Sequence, residues 1–166
     1  ATKYLVLNTT AGSATNSNRW NDTEPTSTTI GLGTNDNTNG SSNYVCYAWH
    51  SVAGYSSFGS YDGTGSQNGR YIDLGFRPKW LIIKKSSEAS TTYGWANFNT
   101  EHQKFNKAEF SGGWLDTSAA FSGNYDVQIL GNGFKHRNNN TNLDGSGKTY
   151  IYAAWGDVPA KYSNGF

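Results

Sequence analysis

The sequence predicts an all-β domain, and three features of its composition support this class. Of the 166 residues, 35% are hydrophobic and 15% are charged, below the usual shares in globular domains. Aromatic residues nevertheless reach 15%, which provides the apolar surface for a core and is unlike a disordered chain. These aromatic residues favour strands, while the abundant glycine, asparagine and serine favour turns. We expect a β-sandwich or jelly-roll-like fold, with residues 1–158 forming one domain.

Short segments rich in β-branched and aromatic residues mark the expected strands, and clusters of turn-forming residues separate them. The main segments are Lys3–Asn8, Asn43–Ser51, Trp80–Lys85, Asp126–Leu130, Gly133–Arg137 and Lys148–Trp155. Further candidates are Thr28–Gly33, Tyr55–Ser60, Arg70–Leu74 and Gly94–Phe98. This series of short strands is typical of a sandwich or jelly roll. One segment, Thr100–Phe110, has a helix signal, because Thr100 and Gln103 fit a capping box.

A faint internal repeat suggests that the fold contains two related halves. Lys3–Leu7 resembles Lys79–Ile83, and Tyr44–Trp49 resembles Tyr150–Trp155, in the same order along the chain. An asparagine-rich loop precedes the second element in each half. A pseudo-duplicated β unit would produce this pattern, and the chance similarity of apolar strands is the alternative.

Charge and cysteine content exclude several classes of function. The net charge is +1, so we expect no nucleic-acid partner. No apolar run approaches the length of a membrane span. Cys46 is the single cysteine and cannot form an internal disulfide. His50, His102 and His136 lie too far apart for a metal-binding pair, and we expect neither a metal nor a cofactor.

Three loops contain residues that are typical of ion or phosphate binding. Asn35–Gly40 and Asn140–Gly145 imitate the start of a calcium-binding EF-hand loop, with oxygen ligands at alternate positions before glycine. The acidic ligand required at position twelve is replaced by Cys46 and Ile151, which favours tight turns and leaves calcium as the alternative. The glycine-rich segment Gly59–Gly69 lacks a following helix and is interpreted as a loop rather than a phosphate cradle.

Acidic residues near tryptophans were considered as candidates for glycoside hydrolysis. Glu101, Glu109 and Asp116 lie in one region of the sequence, beside Trp95 and Trp114. A glycosidase needs two such acids facing each other across the sugar, and the sequence gives no sign of that arrangement. We therefore expect a protein without enzymatic activity.

Aromatic residues in or beside loops are the candidate ligand-binding residues, because indole and phenol rings can stack on sugars. The set comprises Trp20, Tyr55, Tyr61, Trp95 and Trp114. The alternative is that these rings cap a small core. Trp49, Trp80 and Trp155 lie within apolar segments and are expected in the core.

The C-terminal residues 159–166 are expected to form a tail or a docking arm. Pro159 cannot continue a central strand, so the sheet should end before it. Pro159, Tyr162 and Phe166 are the candidate docking residues of this arm.

The segment Tyr47–Lys85 carries the most specific pattern in the chain. It contains the runs Ser51–Tyr55, Phe58–Tyr61 and Gly75–Pro78, together with a Gly63-x-Gly65 pair. These features resemble a module of unassigned activity that recurs in virion proteins of marine bacteriophages. The resemblance extends over most of the chain and includes Tyr4–Thr10, Asp22–Gly33, Gly131–Lys135 and Thr149–Trp155.

The resemblance implies a function on the virion surface, on the head rather than the tail. A small knob-like decoration protein, of the kind found on cyanophage heads, fits a chain that is almost all module. Its partner would be the major capsid protein or another virion protein. The alternative is a receptor- or carbohydrate-binding domain of a tail fibre or other adhesin, with a host-surface glycan as its ligand. The resemblance supplies no catalytic residues.

Overall fold

The computed structural model describes residues 1–90, 94–102, 112–118, 125 and 127–157. They form three antiparallel sheets and two helices of four residues, so the predicted all-β class is confirmed. Contacts divide the chain into two compact units. The first unit is Ala1–Val6 with Ser13–Trp49, and the second is Leu7–Gly12 with the described residues from His50 onward. The predicted single domain over residues 1–158 stays a prediction.

The C-terminal arm and part of the predicted helix lie outside the described residues. Pro159, Tyr162 and Phe166 belong to this group, so their docking role stays a prediction. Of the expected helix Thr100–Phe110, only residues 100–102 are described, and they form a turn.

The first unit consists of two short strands and two short helices, and asparagine side chains cap the helices. Its elements are β1 (Lys3–Tyr4), β2 (Ala14–Thr15), α1 (Ser17–Trp20) and α2 (Asp36–Asn39). β1 pairs antiparallel with β2. The side chains of Asn16 and Asn35 accept backbone N–H groups at the starts of α1 and α2, as N-caps do. The Arg19 guanidinium lies 3.7 Å from the centroid of the Tyr4 ring.

The second unit contains a five-stranded sheet and a three-stranded sheet. The strands are β3 (Ser56–Asp62), β4 (Tyr71–Asp73), β5 (Pro78–Lys85), β6 (Trp95–Asn99), β7 (Gly113–Trp114), β8 (Val127–Leu130), β9 (Gly133–His136) and β10 (Thr149–Gly156). The strand order is β3-β10-β5-β6-β7 in the large sheet and β4-β9-β8 in the small sheet. β10 lies between β3 and β5, so the last described strand joins two strands from the middle of the chain.

One hydrophobic core lies between these two sheets. Leu81 and Tyr150 of the large sheet and Phe134 of the small sheet are fully buried in it. The rings of Tyr61 and Phe134 meet across the sheets, edge to face, with centroids 6.1 Å apart. Burial of alternate residues in each strand against a facing sheet is the arrangement of a β-sandwich.

Two predicted strands are wrong. Asn43–Ser51 contains no strand, and its residues Val45 and Tyr47 are 79% and 74% exposed. Thr28–Gly33 also lies outside any strand, and Lys3–Asn8 shortens to β1. The high β propensity of these segments has no effect here because no neighbouring strand pairs with them. The other predicted strands are present, and their described ends differ from the predicted ones by at most two residues.

The internal repeat does not correspond to two similar halves. Tyr150–Trp155 lies at the centre of the large sheet, whereas its counterpart Tyr44–Trp49 lies in no strand. Pro78–Lys85 pairs with this central strand, whereas its counterpart at the N-terminus pairs with Ala14–Thr15. The similarity therefore reflects the shared composition of apolar segments.

Candidate binding surface

The outer face of the large sheet is the side turned away from the core, and it carries an apolar patch. Because side chains alternate along a strand, the neighbours of the buried Leu81 and Ile83 point to this face. The register places Trp155 beside Trp80, and Ala153 between Ile82 and Phe58. We call this set the outer-face patch, and its members are Phe58, Trp80, Ile82, Trp95, Ile151, Ala153 and Trp155.

Two tryptophans stack at one end of the outer-face patch. The ring centroids of Trp80 and Trp155 are 4.6 Å apart, with an angle of 21° between the planes. Phe58 meets Trp155 edge to face at 5.4 Å. The Trp80 indole N–H donates to the Asn97 side-chain oxygen at 2.5 Å, so the polar edge of the ring is satisfied. The indole of Trp80 is thus fixed in position although the residue remains 38% exposed.

A shallow groove of about 400 Å³ runs along the rest of the patch. Phe58, Ile82, Trp95 and Ile151 line it, and Lys84 lies at its margin. Lys84 is fully buried, and its ammonium donates to the Thr10 carbonyl at 3.0 Å. Burial lowers the pKa of Lys84, and the nearby Asp116 carboxylate opposes that shift. The Lys84 ammonium group is therefore held within the protein by the Thr10 carbonyl, and the surface that the groove offers to a ligand is mainly apolar.

The acids considered for catalysis have structural partners where they are described. The Asp116 carboxylate accepts the backbone N–H groups of Gly94 and Trp95 at 3.0 and 2.8 Å, which fixes the start of β6. Glu101 pairs with Lys79 at 3.1 Å, and Lys79 also pairs with Asp157 at 2.9 Å.

These ion pairs line a second cavity, of about 590 Å³, at the start of β5. Hydrogen bonds from Lys79 to the two carboxylates raise the pKa of Lys79, so the ammonium form is favoured. Glu109 lies outside the described residues. The described acids thus bind a lysine or backbone amides, which gives no support to the arrangement that glycoside hydrolysis requires.

The predicted aromatic residues do not form one exposed cluster. Tyr61 and Trp114 are each 6% exposed and belong to the core, so they cannot act as a platform. Trp95 is half-buried and lines the groove, and its role in ligand binding stays a prediction. Tyr55 is 44% exposed, and its carbonyl accepts the Gly156 N–H beside Trp155. Trp20 lies in the first unit, half-buried at the end of α1.

Sequence reasoning missed the stacked tryptophans of the patch. It assigned Trp49, Trp80 and Trp155 to the core, yet Trp49 and Trp80 are exposed and Trp155 is half-buried. The two-residue period of a strand could have placed the Trp80 side chain on the face of the sheet opposite to that of Leu81 and Ile83. The sequence contained no signal that the outer face would remain uncovered at Trp80.

The asparagine-rich segment 35–40 forms helix α2 and its caps, so the expected tight turn is wrong there, whereas segment 140–145 forms a turn whose side chains bind the protein. The Asn35 side chain caps α2. The Asn140 side-chain oxygen accepts the Asn142 N–H, and both Asp144 carboxylate oxygens accept hydrogen bonds from Thr64. Within the described ranges, no group of three or more His, Cys, Asp or Glu residues could hold a metal ion. The described part of the chain also contains no helix with the length and apolarity that a membrane crossing requires.

Comparison with known proteins identifies the family but supplies no activity. No curated protein and no solved structure matches the chain. One family profile, described as a domain of unknown function (DUF7483), matches residues 1–159. This match covers nearly the whole chain, so the protein belongs to the DUF7483 family.

Proposed function

We propose that this protein is a non-enzymatic virion surface protein that docks on the phage head through the outer-face patch. The major capsid protein is the first candidate partner. The observation that carries the proposal is the stacked pair of Trp80 and Trp155 beside an apolar groove, on the solvent side of a five-stranded sheet. The resemblance to marine bacteriophage virion modules supports the location.

The patch has the properties of a protein-binding hot spot. Tryptophan is enriched among residues that dominate binding energy, particularly where an apolar pocket excludes water. The indole of Trp80 is already held by Asn97, so binding would cost little side-chain entropy. Because Lys84 is buried, no charged group of the groove would have to be desolvated on docking.

The test measures binding of the purified protein to phage heads from which it has been removed. Trp80→Ala should weaken binding at least about tenfold, because a hot-spot side chain contributes more than about 1.4 kcal/mol. Tyr71→Ala is the matched control, since Tyr71 is 40% exposed but lies on the small sheet. Equal binding of both variants would contradict docking through the patch. Immunogold labelling confined to the tail would contradict the location on the head.

A host-surface glycan is the second candidate ligand. The Asn97 amide beside the Trp80 indole favours this candidate, because sugars are bound by aromatic rings together with hydrogen-bonding groups. Trp80 presents an aromatic surface, and the Asn97 amide beside it could bind hydroxyl groups. Titration with host polysaccharide should then quench tryptophan fluorescence in the wild type and much less in Trp80→Ala. A flat titration of the wild type with all host glycans would reject this candidate and leave the docking proposal standing.

A further inference from the structure

The outer edge of β3 lacks a strand partner among the described residues over about half its length. β3 pairs with β10 along one side only. On the other side, Val52 and Ser56 exchange two backbone hydrogen bonds of 2.9 Å, which begins an antiparallel hairpin. The ladder stops at the next pair, because the Phe58 N–H donates to the Ser51 hydroxyl at 3.1 Å. Gly59, Ser60 and Asp62 are exposed, and no described strand pairs with this side of β3 beyond Phe58.

Ser60 marks the open part of this edge. The Gly63 N–H donates to the Lys148 carbonyl, so odd-numbered residues of β3 turn their backbone groups toward β10. By alternation, the N–H and C=O groups of Ser60 point away from β10. In the described part of the chain they have no hydrogen-bond partner. Such an edge is a template for another strand.

The segment that sequence analysis interpreted as a strand, Asn43–Ser51, supplies a matching element. Val45, Cys46, Tyr47 and Ala48 make no hydrogen bond within the described residues, although their composition is that of a strand. The side chains of Val45 and Tyr47 are largely exposed, and residues 43–49 carry no charged group. Within the described residues, residues 45–48 and the outward backbone groups of Ser60 therefore both lack hydrogen-bond partners.

We infer that two copies of this chain exchange these segments, each pairing residues around Val45–Ala48 with the open edge of β3 in the other copy. The exchange is self-complementary, since each copy offers the open part of the β3 edge and the segment 45–48, and a twofold pair uses both. The register follows from the Val52–Ser56 bridge. Extending it places Ala48 opposite Ser60 and Cys46 opposite Asp62. Tyr47 then lies opposite Tyr61, whose side chain faces the core.

The oligomeric state of the full chain tests the exchange. Light scattering after size exclusion should give a dimer, and Val45→Lys should raise the dimer dissociation constant by about tenfold or more, because it places a charge in the interface. Leu115→Lys is the matched control, since Leu115 is 44% exposed and lies outside both elements. Ser60→Pro should have the same effect as Val45→Lys, because it removes an N–H group from the free edge without breaking a bond to β10. A wild type that remains monomeric up to about 1 mM would overturn the inference.

Cross-linking tests the register and the identity of the partner chain. Asp62→Cys places a thiol opposite Cys46, and an antiparallel pair lies within the distance range that a disulfide spans. Oxidation should link two chains into a dimer on a denaturing gel. A disulfide formed within one chain would overturn the exchange, because the segment would then pair with its own β3. Absence of any link, with Cys46 still reactive to a thiol reagent, would overturn the register.

Discussion

Trp155 stacks on Trp80 at directly opposed positions of β10 and β5, on the face of the sheet that turns away from the core. Cross-strand pairs of this kind contribute to sheet stability through ring contact as well as burial. The Trp80 residue nevertheless stays 38% exposed. The stack therefore stabilises the sheet and presents an aromatic surface at the same time.

The stacked pair should show measurable energetic coupling. Trp80→Ala and Trp155→Ala should each destabilise the protein, and the double variant should lose less than the sum by about 0.5–1.5 kcal/mol, the usual value of aromatic pairs. Urea unfolding of the four proteins measures the coupling. The pair Trp80 and Tyr71, which lie on different sheets, is the control and should be additive. Additive effects at Trp80 and Trp155 would mean that the rings do not interact.

His136 should make the protein less stable in mild acid. Burial lowers the pKa of His136 from 6.5 to about 4, and the Asp144 carboxylate opposes the shift only in part. Between these two pH values the unfolded chain binds a proton that the folded chain does not, so stability falls as the pH decreases. The full loss from pH 7 to pH 4 is about 3 kcal/mol. Urea unfolding at a series of pH values measures it.

A pair of histidine variants separates this effect from the titration of carboxylates. His136→Leu should remove most of the pH dependence between 6.5 and 4, because the only change is a titratable ring replaced by an apolar side chain. The exposed His50 is the control, and His50→Gln should keep the dependence of the wild type. The explanation fails if His136→Leu retains the full slope.

Much of the fold could be predicted from the sequence because the strands of the second unit carry local signals. Trp80–Lys85 and Lys148–Trp155 combine β-branched and aromatic residues with flanking turns, and both became central strands of the large sheet. Asn43–Ser51 has the same composition but forms no strand. A strand needs a partner, and partners are set by tertiary structure that composition does not encode.

The binding surface was less predictable for a similar reason. Loop position selected Tyr61 and Trp114, but both lie in strands and are buried. Trp80 was assigned to the core because its neighbours are apolar, yet it lies on the opposite face from them. Which face of a sheet remains uncovered depends on the packing of distant segments, and no local pattern reports it.

Calcium binding at the 140–145 loop should not stabilise the protein, because most side-chain oxygens of that loop already accept hydrogen bonds. Both Asp144 oxygens accept from Thr64, and the Asn142 side-chain oxygen accepts from the Ser90 hydroxyl at 2.9 Å. A ligand raises the melting temperature only if it binds the folded state. We expect 1 mM calcium to shift it by less than about 1 °C relative to magnesium. A rise of several degrees with calcium alone would restore the metal alternative.

Gly63, the first residue of the Gly63-x-Gly65 pair, should tolerate no side chain. A Cβ atom at this position would lie 2.3 Å from the Gly145 carbonyl oxygen, and backbone atoms cannot yield as a flexible side chain does. Gly63→Ala should therefore force the 144–145 turn away from β3 and destabilise the protein by about 2 kcal/mol or more.

Gly131→Ala is the matched control for this glycine, because a Cβ atom there meets nothing within 4 Å. It should change the free energy of unfolding by less than about 0.5 kcal/mol. Urea unfolding of both variants at pH 7 makes the comparison, with Asp144 and His136 left in place. Equal stability of Gly63→Ala and Gly131→Ala would show that the 144–145 turn can move without a free-energy cost. The close approach of this turn to Gly63 would then not explain why a glycine is required at position 63.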